Sequence, residues 1–267
     1  MALNFLTLNT KGLNHPAKRR SLWKDALQNK CDILCVQETH FALHSHPKFP
    51  HLYMANAEVK KRGVMVAVRD SVAFHLHDII TDPQGRYLIL VCTINSIIYT
   101  VVNVYAPNVR QTRFFHKIMK KVRAIQKGLL IVCGDFNITS DPSVDMTSYP
   151  KRIPPSLKAS IQSHDMFDVW RCLNANERDF TFYSTAHGSY SRIDMFLVDK
   201  PLLFKCKKAK INSITWSDHA SVALTVGDSS SHGPTYLWRA NPSLLREGPS
   251  RSYIEKKLGE FFELNQG

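Results

Sequence analysis

The chain has 267 residues, 44% of them hydrophobic, a length that suits one large α/β domain or one domain with a tail and an apolar content that suits a sizeable core. No run approaches the ~20 apolar residues of a membrane-crossing helix, and the start, "MALNFLTLN", lacks the charged region and cleavage site of a signal peptide. The 35 Lys and Arg against 22 Asp and Glu leave a formal charge of +13; this points to a polyanionic partner, nucleic acid ahead of an anionic membrane, with a merely soluble basic protein as the plain alternative.

Residues 3–8 alternate as a short strand. A helix is predicted over 16–30, with Pro16 at its start and Leu22, Trp23, Ala26 and Leu27 on one face. "DILCVQ" is a continuous apolar strand, and "GVMVAV", "AFHLHDII", "RYLILVCTI" and "IIYTVVNVY" extend a strand-rich block to Tyr105. A second amphipathic helix covers 111–127, with Phe114, Phe115, Ile118, Met119, Val122 and Ile125 inward and Lys117, Lys120, Lys121 and Lys127 outward. The run "LLIVCGDFN" (129–137) then drives a buried strand straight into an acid and an amide. Residues 140–156 read as a Pro- and Ser-rich loop and 156–173 as one or two short helices. Four more strands are "FTFYS", "RIDMFLV", "KAKINSITW" and "ASVALTV". A linker at 227–235 precedes a tail with a weak helix at 252–264. Strands in two blocks, without strict βαβ alternation, predict an α/β sandwich: two packed sheets with helices on the outer faces.

The cysteines, Cys31, Cys35, Cys92, Cys133, Cys172 and Cys206, form no CxxC pair and sit mostly in apolar runs. They read as small buried hydrophobes in a reducing compartment. The glycosylation sequon Asn137-Ile138-Thr139, embedded in the strand-end motif, also favours an intracellular home.

Strand ends are where a rigid scaffold can present reactive groups. Here they carry Asn9, Glu38, Tyr105 with Asn108, and Asp135 with Asn137; two later segments add Asp194 and the pair Asp218 and His219. Each has a bland reading on its own. Asn9 could be a turn residue, Glu38 a solvated strand end, Tyr105 plain packing, Asp194 a cap and His219 a satisfied histidine. Their conjunction in a basic chain suits phosphodiester hydrolysis, which needs charge neutralisation, an aligned water and a stabilised leaving oxygen. Glu38 is a hard oxygen ligand of the kind Mg²⁺ takes. Asp135 can accept a proton from water, Asn137 and Asn108 can donate to phosphate oxygens, and Asp194 can orient the His219 imidazole.

The segments "TLNTKGLN", "CVQETH", "NVYAPN", "CGDFN", "YSRIDMF" and "WSDH" occur in the order seen in the endonuclease/exonuclease/phosphatase family. They look closest to the apurinic-like endonuclease domain of the second open-reading-frame protein of LINE (non-LTR) retrotransposons, and the match covers roughly residues 3–226. The resemblance implies a four-layered, DNase I-like α/β sandwich of two mostly antiparallel sheets, with Mg²⁺ (Mn²⁺ as a substitute) as cofactor. Carried over residue by residue, it makes Glu38 the metal carboxylate and Asn9 its neighbour at the metal. Asp135 becomes the residue that orients or activates water, and Asn137, Asn108 and Tyr105 the groups around the scissile phosphate. Asp194 and His219 become a carboxylate–imidazole pair, and Asp218 a second acid near the metal. The repair branch carries an aspartate two residues after the first Asn; here that residue is Lys11.

The basic clusters at 18–24, 60–62, 117–127 and 205–210 could grip phosphates or simply be solvated faces. In "FTFYSTAHGSYSRID", two strands are expected to flank the polar hairpin "STAHGSYS". The resemblance implies that this hairpin enters a DNA groove, with Thr181, Tyr190, Ser191 and Arg192 in contact and Arg110 a further candidate. It also implies an endonuclease domain over 1–226 and a tail over 227–267 leading to a covalently linked reverse transcriptase. The expected activity is nicking of double-stranded DNA in the nucleus, leaving a 3′-OH that primes reverse transcription. The rivals are an apurinic repair endonuclease, a phosphoinositide or sphingolipid phosphatase, and an inactive nucleic-acid-binding module.

Overall fold

The computed structural model describes residues 2–41, 51–58, 61–148, 155–227 and 248–265. One six-stranded sheet runs in the order β13 (Cys206–Ile211), β14 (Val222–Val226), β1 (Leu3–Asn9), β2 (Ile33–Gln37), β4 (Val64–Val68), β3 (Leu52–Ala55). The other runs β5 (Phe74–Thr81), β6 (Tyr87–Ile94), β7 (Ile97–Tyr105), β8 (Leu129–Asp135), β12 (Asp194–Asp199), β9 (Met166–Asp168). Only β1–β2 and β7–β8 pair in parallel; the other pairings in these sheets are antiparallel.

Alternation along each strand explains the layers. In β1, Leu3 and Phe5 point between the sheets, while Leu6 and Leu8 point out beneath α1 (Pro16–Gln28), where Leu22 and Ala26 cover them. In β8, Ile131 and Cys133 face the other sheet. Its Leu130 and Val132 face α2 (Gln111–Ile125), which buries Phe115, Ile118, Met119 and Val122 as its spacing predicts. Both faces of the central strands are therefore covered, which is why their sequences read as unbroken apolar runs. The result is the four-layered α/β sandwich.

Four shorter helices complete the body: α3 (Pro142–Asp145), α4 (Lys158–Ser163), α5 (Val169–Leu173) and α6 (Lys200–Leu203). The tail helix is α7 (Gly248–Asn265), longer than the sequence suggests, whereas the predicted linker beyond Gly227 and "YLWRANPSLL" lie outside the described residues. No described helix is long and apolar enough to cross a membrane.

Several details depart from the sequence reading, among them the short helix α3 inside the predicted 140–156 loop and the strand β9 inside the predicted helical stretch 156–173. β3 has no strong sequence signal and is found at an edge. β13 spans Cys206–Ile211 rather than extending to Trp216, because Asn212 turns its N–H and amide to Ser221. The hairpin closes on itself as β10 (Phe182–Ser184) and β11 (Ser189–Ser191), and the chain then leaves this ribbon and enters the second sheet as β12.

Gly134 lies opposite Val104 in the parallel β7–β8 pair with φ 129°, and a Cβ there would collide with the Val104 carbonyl oxygen. Gly134→Ala should destabilise the fold by roughly 3 kcal/mol, read as a lowered urea midpoint with an unchanged slope.

Candidate active site

Strand register brings the chemistry-bearing residues to one end of the sandwich. Asn9 lies opposite Gln37 in the β1–β2 pair, so Glu38 is the first residue past the end of β2. Across the other sheet Tyr105 lies opposite Asp135, and Asp135 opposite Asp194. His219 precedes β14 and bridges to Phe182 of the hairpin, its ring 4.7 Å from the Phe182 ring. Glu38 and Asn137 both leave their strands with left-handed backbone, φ 52° and 51°. Such conformations are costly for non-glycine residues and concentrate at functional sites.

Asn9 is fully buried and joins the two sheets. Its Nδ2 donates to Glu38 Oε1 at 2.9 Å and to Asp135 Oδ2 at 2.8 Å. Its Oδ1 accepts from the Lys11 N–H at 3.0 Å. As arranged, Asn9 bridges two carboxylates through its amide nitrogen while its oxygen accepts from backbone. Behind it, Gln37 donates to Thr7 Oγ1 and Asn103 Oδ1 at 2.9 and 2.7 Å. Asn103 in turn donates to the carbonyls of Val36 and Met65.

Burial opposes the charge of Glu38, but hydrogen bonds with His40 (3.1 Å), Asn9 and Tyr105 outweigh it and hold the carboxyl below its usual range. Burial and the nearby Asp194 carboxylate push Asp135 well above the usual range, against the opposing pull of His219 and of hydrogen bonds from Asn9 and the Asn137 N–H. Asp194 Oδ2 meets His219 Nδ1 at 2.8 Å. Burial works against the imidazolium, yet Asp194, followed by Asp135 and Asp218, pushes His219 up to about 10.

Asp218 pairs with Lys11, Oδ2 to Nζ 3.3 Å. Asn137 donates its side-chain amide to the Ala106 carbonyl at 2.8 Å, so one of its two N–H groups already serves the scaffold. Asn108 and Arg110 are exposed at the start of α2, where the Asn108 carbonyl accepts from Gln111.

The hairpin divides the predicted DNA contacts. Tyr190 is exposed, with its ring 4.6 Å from Tyr183, and Ser191 is half-buried. Thr181 and Arg192 are fully buried, and neither side chain is open to DNA. Thr181 Oγ1 accepts from the N–H groups of Ile193 and Asp194 at 3.0 and 3.1 Å, which places it behind the Asp194–His219 pair. The Arg192 guanidinium donates twice to Asp145 (2.9 and 2.8 Å) and twice to Asp168 (3.1 and 2.7 Å), over the Trp170 ring. A guanidinium without solvent needs such partners, and they lie far away in sequence.

Two cations have roles the sequence does not show, one of them Lys18 of the 18–24 cluster, which is neither a solvated face nor free for phosphate. Lys18 of α1 is buried and donates to the carbonyls of Thr10 and Lys11, both at 3.0 Å. Arg86 lies 5.0 Å over the Tyr105 ring and donates to the Ala106 carbonyl at 3.2 Å. No local pattern marks either as different from a surface cation.

Two donor sets could hold a divalent metal. Asp135, Asp194 and His219 each offer an atom within 4.8 Å of the others. There, however, Asp194 and His219 already bond one another. Glu38 beside Asp135 offers charged hard oxygens, the donor type Mg²⁺ prefers, and fits the ion better.

Residues 6–219 match the Endonuclease/Exonuclease/phosphatase family. The chain belongs to that family. Among solved structures it is similar to an AP endonuclease from Archaeoglobus fulgidus, at 21% identity and TM-score 0.67, covering 85% of this chain and 100% of that one. It is also similar to an AP endonuclease from Leishmania major (15%, TM-score 0.68, covering 85% and 88%). A third is a 3′-5′ exonuclease from Neisseria meningitidis (21%, TM-score 0.66, covering 84% and 100%). At these identities the likeness speaks to the fold, which is DNase I-like. Family membership and the paired acids and imidazole make the chain a phosphodiester-cleaving hydrolase.

Arg192→Ala would leave Asp168 buried without its guanidinium and Asp145 with only that of Arg171 (2.7 Å), and should cost about 3–5 kcal/mol. Urea unfolding should show this, with any loss of activity tracking loss of fold. For His219, a folded pKa of about 10 lies above the unfolded value of 6.5. Its contribution to stability is therefore complete below the unfolded pKa and lost as pH rises through the folded one. The stability advantage of wild type over Asp194→Asn should be largest near neutral or lower pH and shrink as pH approaches 10; urea titrations across that range read it directly.

Proposed function

We propose that this chain is the DNA-nicking endonuclease domain of a LINE-type retrotransposon protein, acting with Mg²⁺ on double-stranded DNA in the nucleus. In this reading the nick leaves a 3′-OH that a covalently linked reverse transcriptase extends. The observation that carries the hydrolytic part is one amide, Asn9, bonded to Glu38 and Asp135 at 2.9 and 2.8 Å, beside a buried Asp194–His219 pair. Support for DNA as substrate comes from the charge of +13 and an exposed aromatic hairpin next to that pair.

Glu38 would hold the Mg²⁺, which when bound supplies charge neutralisation at the phosphate. Asp135, its basicity raised by burial, takes a proton from the attacking water. The water oxygen bonds to phosphorus, the P–O3′ bond breaks, and the leaving 3′ oxygen takes a proton from solvent to end as the hydroxyl primer, while Asp135 returns its proton to solvent. Protonated His219, oriented through Nδ1 by Asp194, presents its other N–H to a phosphate oxygen as charge builds there. Tyr105 and Asn9 keep Glu38 ionised and in place. Asn137 and Asn108, at the ends of adjacent segments, line the phosphate side.

An apurinic repair endonuclease is the second reading, favoured by the fold shared with the AP endonucleases. Against it stands Lys11, a cation two residues after Asn9, paired to Asp218. Supercoiled plasmid and an abasic oligonucleotide separate the two: nicking of intact plasmid with 3′-OH ends supports the retrotransposon reading, and strong preference for the abasic site overturns it.

Asp135→Asn and His219→Gln should each lower nicking by at least about 10²-fold, the scale of general acid–base and oxyanion contributions, with circular dichroism unchanged. EDTA should stop the reaction and added Mg²⁺ restore it. Full activity in either variant would remove that residue from the chemistry.

A further inference from the structure

The reaction as described makes no use of Lys11, yet the structure invests heavily in its placement. Its backbone is left-handed, φ 46°, a conformation that glycine and asparagine adopt far more readily than lysine. It is held from both sides. The Lys11 N–H donates to Asn9 Oδ1, and the Lys11 carbonyl accepts from the ammonium of Lys18, both at 3.0 Å. Lys18 is itself buried, and it also grips the Thr10 carbonyl. One cation is thus withdrawn from solvent to fix the backbone that carries another.

That backbone aims the Lys11 side chain at Asp218. Nζ and Oδ2 are 3.3 Å apart, and the two side chains are 37% and 27% exposed, so the pair is open to solvent and not sealed in the core. Ser217, just before Asp218, donates to the Asn9 carbonyl at 2.7 Å and ties this turn to the end of β1. The carboxylates of the site then divide cleanly. Asp194 is bonded to His219 and Asp218 to Lys11. Asp135 accepts from Asn9 and from the Asn137 N–H. Glu38 has His40 as its partner and, among the described residues, no ion pair with a lysine or arginine.

We propose that Lys11 is a built-in second cation of the cleft: it neutralises Asp218, so that the site takes one divalent ion at Glu38. The ammonium then stands beside the substrate phosphate where another ion would otherwise be drawn. Two acids at a polyanion-binding cleft attract cations; a lysine fixed on one of them meets that demand without a metal and repels a further divalent ion. Lys11 acts on the phosphate as a positive charge and requires no proton transfer.

The inference rests on Glu38 as the ion's ligand, and the experiment keeps the two apart. Mn²⁺ is titrated into the full chain without DNA, and bound ions are counted by electron paramagnetic resonance. Wild type should bind a single ion. Lys11→Met, which leaves Asp218 without its ammonium, should bind a second, weaker ion, and Lys11→Met with Asp218→Asn should return to one. Lys11→Arg, which keeps the charge, should also hold one. Two ions on wild type, or one on a folded Lys11→Met, overturns the proposal; should Lys11→Met not fold, the wild-type count decides. Glu38→Gln should lose the single ion, and retention of that ion would instead refute Glu38 as its ligand.

Discussion

The site depends on a single buried amide. Asn9 gives both of its N–H groups to carboxylates on different sheets, Glu38 at the end of one and Asp135 at the end of the other. Two acids at the mouth of an apolar core repel each other and each loses hydration. Hydrogen bonds to charged groups contribute roughly 1.5–3 kcal/mol each, and here two of them converge on one nitrogen. The same contact locks the layers together at this end, reinforced one step deeper by the Gln37–Asn103 bond. Catalytic geometry and sheet-to-sheet packing are therefore one constraint.

Around that amide the charges come in matched sets. Asp194 supports the His219 imidazolium, Lys11 answers Asp218, and Arg192 serves both Asp145 and Asp168. The sets differ in depth and so in what they do. The Arg192 network is sealed and structural. The Asp194–His219 pair is buried but borders the hairpin through Phe182. The Lys11–Asp218 pair is open to solvent. Moving outward through these layers, the electrostatic interaction passes from fold stability to proton placement to the field a phosphate would meet.

Much of this was legible in the sequence, for physical reasons. Runs such as "LLIVC" are covered on both faces, and an acid directly after such a run lies at a strand end because β structure can hold it only there. Asn9, Glu38, Tyr105, Asp135, Asp194 and His219 were accessible by that logic, and the structure brings them together. Burial of Thr181 and Arg192 was not accessible. Both lie in a polar, exposed-looking stretch, and what decides their role is Asp145 and Asp168, 47 and 24 residues away, and the β12 backbone. The left-handed turn at Lys11 and the service of Lys18 beneath it are equally silent, because a lysine's letter does not say whether its ammonium meets water or a carbonyl. β3 was missed because an edge strand buried on one side lacks the dense apolar run of a central one.

The buried arginine at the foot of the hairpin also bears on how such a domain could diversify. Arg192, Thr181 and Phe182 moor the ribbon to the body, whereas Thr185, Ala186 and His187 at its tip are exposed, beside Gly188, whose left-handed φ of 55° turns the chain. Tip residues can be exchanged, or the loop lengthened, without disturbing the mooring, since short turns tolerate insertion at modest entropic cost. Novelty at the tip and integrity at the root are thus uncoupled, and a lineage could revise what its hairpin touches while inheriting an unaltered catalytic chassis.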